Sequence, residues 1–216
     1  MPYQTAIFDL DGTLLDTLED LFRAVNHALR SHGLPLRTRD EIRSFVGNGV
    51  ERLVRRSLPE GYAEETAAAV LSDFKTTYAA ICKDNTRPYD GILPLLTSLR
   101  QNGVRIAVVS NKFDAATKAL CAEYFGELVD VAIGERAGVR KKPAPDTVFE
   151  ALTALGVTAT GAVYIGDSDV DIETAKNAAM PCISVTWGLR DEAFLLENGA
   201  ETLANSPDEL LRMLLS

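Results

Sequence analysis

Apolar positions along this chain follow two different spacings. The chain opens with a short apolar run, Ala6-Ile7-Phe8, that ends abruptly in polar residues, as buried strands often do. From residue 16 to about residue 83, apolar residues recur every three or four positions, as at Leu18, Leu21 and Val25. This spacing predicts helices only. Beyond residue 88, short apolar runs alternate with helical stripes, which predicts alternating strands and helices.

The predicted strands after residue 88 cover 104–109, 129–133, 162–165 and 182–185, with helices between them and a last helix that begins at Ser206-Pro207. This alternation predicts an α/β fold with a doubly wound, mostly parallel sheet. The helical stretch interrupts the alternation directly after the first strand. We therefore expect a core domain formed by residues 1–15 and 84–216, and an all-helical cap domain inserted at 16–83.

Two helix starts in the helical stretch carry side-chain capping patterns. Asp16 with Glu19, and Thr38 with Glu41, have the spacing of a capping box, in which two side chains and two backbone N–H groups bond reciprocally. The two histidines, His27 and His32, fall on or just after the first of these helices. No third ligand lies near them in the sequence, so we expect packing or surface roles for both.

Composition narrows the classes of partner. Lys and Arg total 22 against 31 Asp and Glu, a net charge of −9, and the basic residues are scattered, which argues against nucleic-acid or anionic-membrane binding. The three cysteines, Cys82, Cys121 and Cys182, are widely spaced in apolar surroundings, as reduced thiols are. With neither a signal peptide nor a membrane-length apolar run, a cytoplasmic protein is expected, as a monomer or weak homodimer.

The first strand ends in two carboxylates beside a glycine. Asp9 and Asp11 lie two residues apart and face the same side of an extended strand. Two acids this close resist being charged together, so either one stays protonated or a divalent cation lies between them. Gly12 allows the backbone to turn and bring its amides near an anion.

Polar residues also follow two later strands, at Ser110-Asn111 and at Asp167 with Asp171. Carboxyl ends of parallel strands meet at one edge of the sheet, where such folds bind ligands. This convergence is what phosphate-ester hydrolysis requires, because it needs a nucleophile, a cation, hydrogen-bond donors and an acid for the leaving group. Mg²⁺ suits an oxygen-rich site, and Asp9 and Asp167 would be its carboxylate ligands.

Four strings along the chain carry a family resemblance: DLDGTLLD at 9–16, VVSNK at 108–112, KKPAPD at 141–146 and GDSDVD at 166–171. Together they resemble the four motifs of the haloacid dehalogenase-like (HAD) hydrolases. The helical insertion and the VGNG string at 46–49 make the phosphoglycolate phosphatase branch the most similar one.

The resemblance implies roles for the matching positions. Asp9 would be the nucleophile that forms an aspartyl phosphate, and Asp11 the general acid and then base, which also binds the metal through its backbone carbonyl. Asp167 would be a metal ligand, with Asp171 in support. The phosphate would be bound by Gly12, Ser110, Asn111 and Lys142.

The expected function is therefore Mg²⁺-dependent hydrolysis of a small phosphate monoester, with 2-phosphoglycolate as the leading substrate. A phosphomutase of the β-phosphoglucomutase type and a pyrophosphatase are alternatives on the same core. A dehalogenase is disfavoured, since it needs neither the metal nor Asp11. A non-enzymatic phospho-switch is disfavoured because it has no use for a leaving-group acid or a cap.

Selectivity is expected to come from the cap, because the core contacts only the phosphoryl group. Within the cap, Gly47-Asn48-Gly49 precedes a predicted helix, and backbone amides at a helix start favour anions. We expect Asn48 and Gly49 to contact the substrate's carboxylate. The alternative is a plain turn between two helices.

Overall fold

A six-stranded sheet forms the centre of the protein, described here for residues 3–216 by a computed structural model. Its strand order is β5-β4-β1-β6-β7-β8, and the pairs along it are parallel. The strands are β1 (Thr5–Phe8), β4 (Arg105–Phe113), β5 (Val131–Glu135), β6 (Ala162–Gly166), β7 (Cys182–Val185) and β8 (Leu203–Ala204). A separate two-stranded sheet pairs β2 (Leu15–Asp16) with β3 (Arg87–Pro88).

Tertiary contacts divide the chain into two compact units. The first, the sheet unit, combines the N-terminal segment through Leu15 with Pro88–Ser216, and the second, the helical unit, is Asp16–Arg87. Helices of the sheet unit are α5 (Ile92–Gln101), α6 (Asp114–Tyr124), α7 (Asp146–Leu155), α8 (Asp169–Asn177), α9 (Glu192–Glu197) and α10 (Pro207–Leu215). A 3-10 turn spans Gly126–Leu128.

The core of the sheet unit has two layers, one on each face of the sheet. Successive strand residues point to opposite faces, so Phe8 packs with α5, α6 and α10 while its neighbour Ile7 packs with α7 and α8. The central strand β1 is fully buried, which explains why its sequence is continuously apolar rather than alternating. The predicted doubly wound, parallel α/β fold with an inserted helical segment is confirmed.

The helical unit contains α1 (Leu18–Ser31), α2 (Arg39–Phe45), α3 (Val50–Ser57) and α4 (Glu64–Ile81). The Thr38–Glu41 capping box is confirmed, because Thr38 Oγ1 accepts from Glu41 N at 3.2 Å and Glu41 Oε2 accepts from Thr38 N at 2.7 Å. The predicted Asp16 cap is wrong by one residue. Thr17 is the N-cap, and Asp16 Oδ1 accepts only the N–H of Leu18.

Other differences from the sequence prediction occur where the hydrophobic signal is weak. Strand β4 extends past the predicted end at 109 to Phe113, and the polar residues at 110–112 within it are buried. Helix α9 and strand β8 are short and were not predicted. Among residues 3–216, no helix combines the length and apolar character that a membrane span requires. The three cysteines are free thiols.

A buried carboxylate fixes the end of the helical unit to its first helix. Asp20 on α1 is fully buried and accepts bonds from the backbone N–H groups of Asn85 and Thr86. Its oxygens also accept from Asn85 Nδ2 at 2.9 Å and Thr86 Oγ1 at 2.8 Å. A buried carboxylate is tolerated only when it is satisfied in this way, so Asp20 holds the polar 85–86 segment against α1.

Replacing Asp20 by Asn is expected to lower the free energy of unfolding by about 3 kcal/mol, because the new amide NH₂ would face donors. Chemical denaturation followed by circular dichroism measures the change. The exposed Asp40→Asn, which alters the charge of the same unit equally, serves as the control and is expected to change stability by less than about 0.5 kcal/mol. Equal stability of the two variants would show that the bonds of Asp20 contribute little.

Candidate active site

Polar side chains from three adjacent strands meet at the carboxyl edge of the sheet. Asp9 follows the central strand β1 directly, and its N–H donates to Ile165 O on β6 at 2.8 Å. Ser110 lies in β4, on the other side of β1, and Asp167 follows β6. All three side chains are buried. The strand order explains how residues more than 150 positions apart reach one place.

The ammonium group of Lys142 is bonded to Asp9 and to a further carboxylate, that of Asp171. Nζ lies 2.7 Å from Asp9 Oδ1, 2.8 Å from Asp171 Oδ1 and 3.0 Å from the hydroxyl of Tyr164. Burial by itself would lower the pKa of Lys142, but the charges of Asp171 and Asp9 outweigh it and raise the pKa well above its ordinary value. Lys142 is therefore a fixed positive charge beside Asp9.

The backbone around Lys142 is held by the side chain of Asn111. The Asn111 amide donates to Lys142 O at 3.0 Å and accepts from Lys142 N at 2.9 Å. The two bonds mimic a strand pairing and fix the loop that carries the lysine, which is followed by a cis peptide bond to Pro143. Asn111 thus positions Lys142, and its predicted direct contact with phosphate stays a prediction.

Asp171 uses both carboxylate oxygens inside the protein. Oδ1 accepts from Lys142 and from the Tyr164 hydroxyl, at 2.8 and 3.2 Å. Oδ2 accepts from the backbone N–H groups of Asp167 and Ser168, both at 3.2 Å, and from Ser168 Oγ at 2.6 Å. These bonds fix the start of α8 and the lysine together. The predicted supporting role of Asp171 stays a prediction.

Asp167 is held by donors on both sides. Oδ1 accepts from Thr13 Oγ1 at 3.2 Å and Oδ2 from the N–H of Leu189 at 2.7 Å. Burial, and then the charge of Asp171, raise its pKa to about 7. Gly12 lies directly against it: a Cβ there would be 2.3 Å from Asp167 Oδ2, and its φ is +91°. Only glycine fits.

Gly12 N–H donates to Leu15 O at 2.9 Å, within the turn that follows β1. Close packing against Asp167 thus requires glycine at position 12, and the predicted contact of Gly12 with an anion stays a prediction.

Asp11, in the same turn, is also bonded to a lysine ammonium group. Lys112 Nζ lies 2.8 Å from Asp11 Oδ1 and 3.0 Å from Oδ2. Each of the two N-terminal aspartates therefore has one lysine partner.

Comparison with known proteins shows which family this chain belongs to. The family model for haloacid dehalogenase-like hydrolases matches residues 6–185. This chain belongs to that family. Phosphoglycolate phosphatase 1 of Pseudomonas aeruginosa is 32% identical over 211 residues, covering 95% of this chain and 77% of the relative. Phosphoglycolate phosphatase of Rhodobacter capsulatus is 36% identical over 191 residues, covering 85% and 84%.

Two solved structures are also similar to this HAD hydrolase. A proposed phosphoglycolate phosphatase from Lactobacillus delbrueckii subsp. bulgaricus superimposes with a TM-score of 0.95 at 39% identity over all of both chains. CbbY from Rhodobacter sphaeroides in complex with phosphate has a TM-score of 0.79 at 28% identity over 96% of each chain. The predicted superfamily, its phosphoglycolate phosphatase-like branch and the enzyme class of a phosphoric monoester hydrolase are confirmed.

The carboxylates of this HAD hydrolase fit a divalent cation. Oxygen atoms of Asp9, Asp167 and Asp171 lie within 4.8 Å of one another. An oxygen-only donor set of this kind suits Mg²⁺. Because the oxygens of Asp171 already accept five bonds, Asp9 and Asp167 are the better ligands of the three. Burial also raises the pKa of Asp9 well above its usual value, against the opposing charge of Lys142.

Three participants escaped prediction from the sequence. Tyr164 lies inside the apolar run of a strand, where a tyrosine is expected to be an ordinary core residue. Thr13 looks like an ordinary turn residue. Lys112 was visible in the second motif, but nothing in the sequence showed that it would be buried beside Asp11. The predicted cap residues Asn48 and Gly49 lie in the loop between α2 and α3, and their contact with substrate stays a prediction.

The raised pKa of Asp167 predicts that protons compete with metal. Without metal, a carboxylate whose pKa is raised by folding stabilises the fold most below its unfolded pKa of about 4, and this contribution is lost as the pH rises through the folded pKa, about 7. Mg²⁺ binds the ionised form. The increase in Tm on adding Mg²⁺ is therefore expected to be larger at pH 8 than at pH 6, two conditions about one unit either side of 7.

Thermal unfolding in EDTA and in excess Mg²⁺ measures this difference. Asp167→Asn is expected to abolish the Mg²⁺ effect at both pH values, whereas Asp208→Asn, an exposed aspartate on α10, leaves it unchanged. An equal Mg²⁺ effect at the two pH values in the unaltered protein would contradict the assignment of Asp167 as a ligand that must lose a proton.

Proposed function

We propose that this HAD hydrolase is a Mg²⁺-dependent phosphatase that hydrolyses a small phosphate monoester, with 2-phosphoglycolate as the best candidate, through an aspartyl phosphate on Asp9. The observation that carries the proposal is the buried Lys142 ammonium bonded to Asp9, beside a second carboxylate that can hold metal, Asp167. The names of the relatives support 2-phosphoglycolate as the substrate. The similarity extends over 77% and 84% of the two curated relatives and over all of the solved Lactobacillus structure.

Asp9 has the surroundings that a carboxylate nucleophile needs. Lys142 bonds one oxygen, Oδ1, which fixes the side chain's orientation and offsets its charge. When bound, Mg²⁺ supplies the additional positive charge that lets a carboxylate approach a phosphate dianion. Ser110, with Asn111, Gly12 and Lys142, would bind the phosphate oxygens. Ser110 is buried at the same sheet edge, and its Oγ accepts from Lys112 N at 3.1 Å.

The reaction would proceed in two displacements. An oxygen of Asp9 bonds to phosphorus while the ester O–P bond breaks, and Asp11 gives a proton to the leaving alkoxide. Asp11 then accepts a proton from a water that attacks phosphorus. The bond from Asp9 to phosphorus breaks, which releases inorganic phosphate and restores the carboxylate. Metal contact through the Asp11 backbone carbonyl is part of this proposal.

The proposed division of labour assigns chemistry to residues 1–15 and 84–216, and substrate selection to a cap at 16–83. These limits lie close to the two compact units. In the loop before α3, Gly47 and Gly49 have φ values of +120° and +87°, so glycine suits both positions. In the proposed cap role, the backbone amides of this loop and the Asn48 side chain would bind a substrate carboxylate.

Free thiols and an acidic surface accord with a cytoplasmic enzyme that acts on a small phosphorylated metabolite, without nucleic-acid or membrane partners, as a monomer or weak homodimer. Burial raises the pKa of both Cys121 and Cys182 to about 12, so neither is expected to be reactive. A phosphomutase or pyrophosphatase activity on the same core is the alternative, and the assay below distinguishes them.

Purified protein should release phosphate from 2-phosphoglycolate faster than from pyrophosphate or hexose phosphates, and only with Mg²⁺. Asp9→Asn is expected to lower kcat by at least about 10³-fold while the fold is retained, because an amide does not attack phosphorus. The control Asp208→Asn changes an exposed aspartate and is expected to keep full activity. Activity near the unaltered level in Asp9→Asn, or metal-independent turnover, would refute the mechanism.

Asn48→Ala tests the cap. It is expected to lower kcat/KM for 2-phosphoglycolate about tenfold, the effect of losing one hydrogen bond to a charged group, and to change p-nitrophenyl phosphate hydrolysis much less. The matched control is Thr76→Ala, which removes an exposed polar side chain from α4. Gly49→Val is less informative, because φ at Gly49 is +87° and valine would strain the loop. Equal losses on both esters would mean that Asn48 supports only the fold.

A further inference from the structure

We propose that Lys112 is a positioning residue that holds the carboxylate of Asp11 in place for proton transfer. The inference rests on the proposed function, since it concerns the acid and base of that reaction. The ammonium of Lys112 bonds both oxygens of the Asp11 carboxylate: Nζ lies 2.8 Å from Oδ1 and 3.0 Å from Oδ2.

The backbone of Lys112 is fixed on both sides. Its N–H donates to Ser110 Oγ at 3.1 Å, and its carbonyl accepts from Thr117 Oγ1 of α6 at 3.3 Å. Strand β5 packs against the same carbonyl so closely that a Cβ at Gly134 would lie 2.6 Å from it. Because β4 stays extended through Phe113, these contacts determine where the lysine side chain begins.

The side chain of Lys112 is as confined as its backbone. Only 2% of it is exposed, against 14% for Asp11, so the ammonium group approaches Asp11 from the protein interior. A buried ammonium requires a partner, because an unpaired charge is strongly disfavoured in the protein interior. Lys112 is therefore a rigid anchor for the more exposed carboxylate of Asp11.

This restraint matters for the step assigned to Asp11. Bonds to both oxygens oppose rotation of the carboxylate, while each oxygen keeps a further lone-pair direction for the reacting group. A catalytic group displaced by about 1 Å can lose on the order of 10²-fold in rate. Lys142 cannot replace Lys112, because its ammonium is engaged by Asp9, Asp171 and Tyr164.

The dependence on the leaving group tests the proposal. Alkyl phosphates such as 2-phosphoglycolate need a proton on departure, whereas p-nitrophenolate leaves without one. Because kcat/KM reports on the first displacement, in which the leaving group departs, Lys112→Met is expected to lower kcat/KM for 2-phosphoglycolate about 10- to 100-fold and for p-nitrophenyl phosphate by less than about threefold. Lys112→Arg should restore part of the loss. The control Lys118→Met removes an exposed lysine from neighbouring α6 and should change neither rate.

Equal losses of kcat/KM on the two esters would show that Lys112 only supports the fold, and no loss or a gain of kcat/KM on 2-phosphoglycolate would also overturn the inference. If the unaltered protein hydrolyses no ester, the proposed function fails instead. The ion pair is tested separately by ¹⁵N NMR of lysine Nζ groups. A protected ammonium signal absent from Lys112→Met should shift in Asp11→Asn, and an unshifted signal would refute the pairing whatever the activity.

Discussion

The structure depends on offsetting the negative charge that buried carboxylates bring together at one edge of the sheet. Asp9, Asp167 and Asp171 hold oxygen atoms within 4.8 Å of one another, and all three side chains are buried. Like charges at this distance in a medium of low dielectric repel strongly. Lys142 offsets part of the repulsion, and its position is in turn fixed by Asn111. The remaining excess of negative charge is what favours a divalent cation there.

Close packing of backbone around these groups is the second requirement. A Cβ at Gly166 would lie 2.2 Å from the Cβ of Asp171, and one at Gly188 would lie 2.4 Å from that of Asp167. Together with Gly12, these glycines let three backbone segments, among them the end of β6, pack directly against the carboxylates. Backbone N–H groups such as that of Leu189 can then donate hydrogen bonds to the carboxylates, and these bonds offset the cost of burying them.

The architecture was predictable from the sequence because β1 and the later apolar runs are bounded by clear turn signals and alternate with helical stripes. The convergence of Asp9, Ser110 and Asp167 followed from the rule that ligands bind at the carboxyl ends of parallel strands. The pairing of particular side chains could not be predicted. Tyr164 and Lys112 take part only because of which strands become neighbours, and a linear pattern does not encode register between distant segments.

Asp171 contributes both to the stability of the fold and to the geometry of the proposed catalytic site, two properties that often depend on different residues. The same carboxylate accepts the N–H groups at the start of α8 and holds the ammonium of Lys142. Natural enzymes commonly lose stability at residues that serve chemistry, so that selection for one works against the other. At this position the two selective pressures act in the same direction. A library screened only for thermal resistance should therefore retain Asp171, and with it the geometry that catalysis would need.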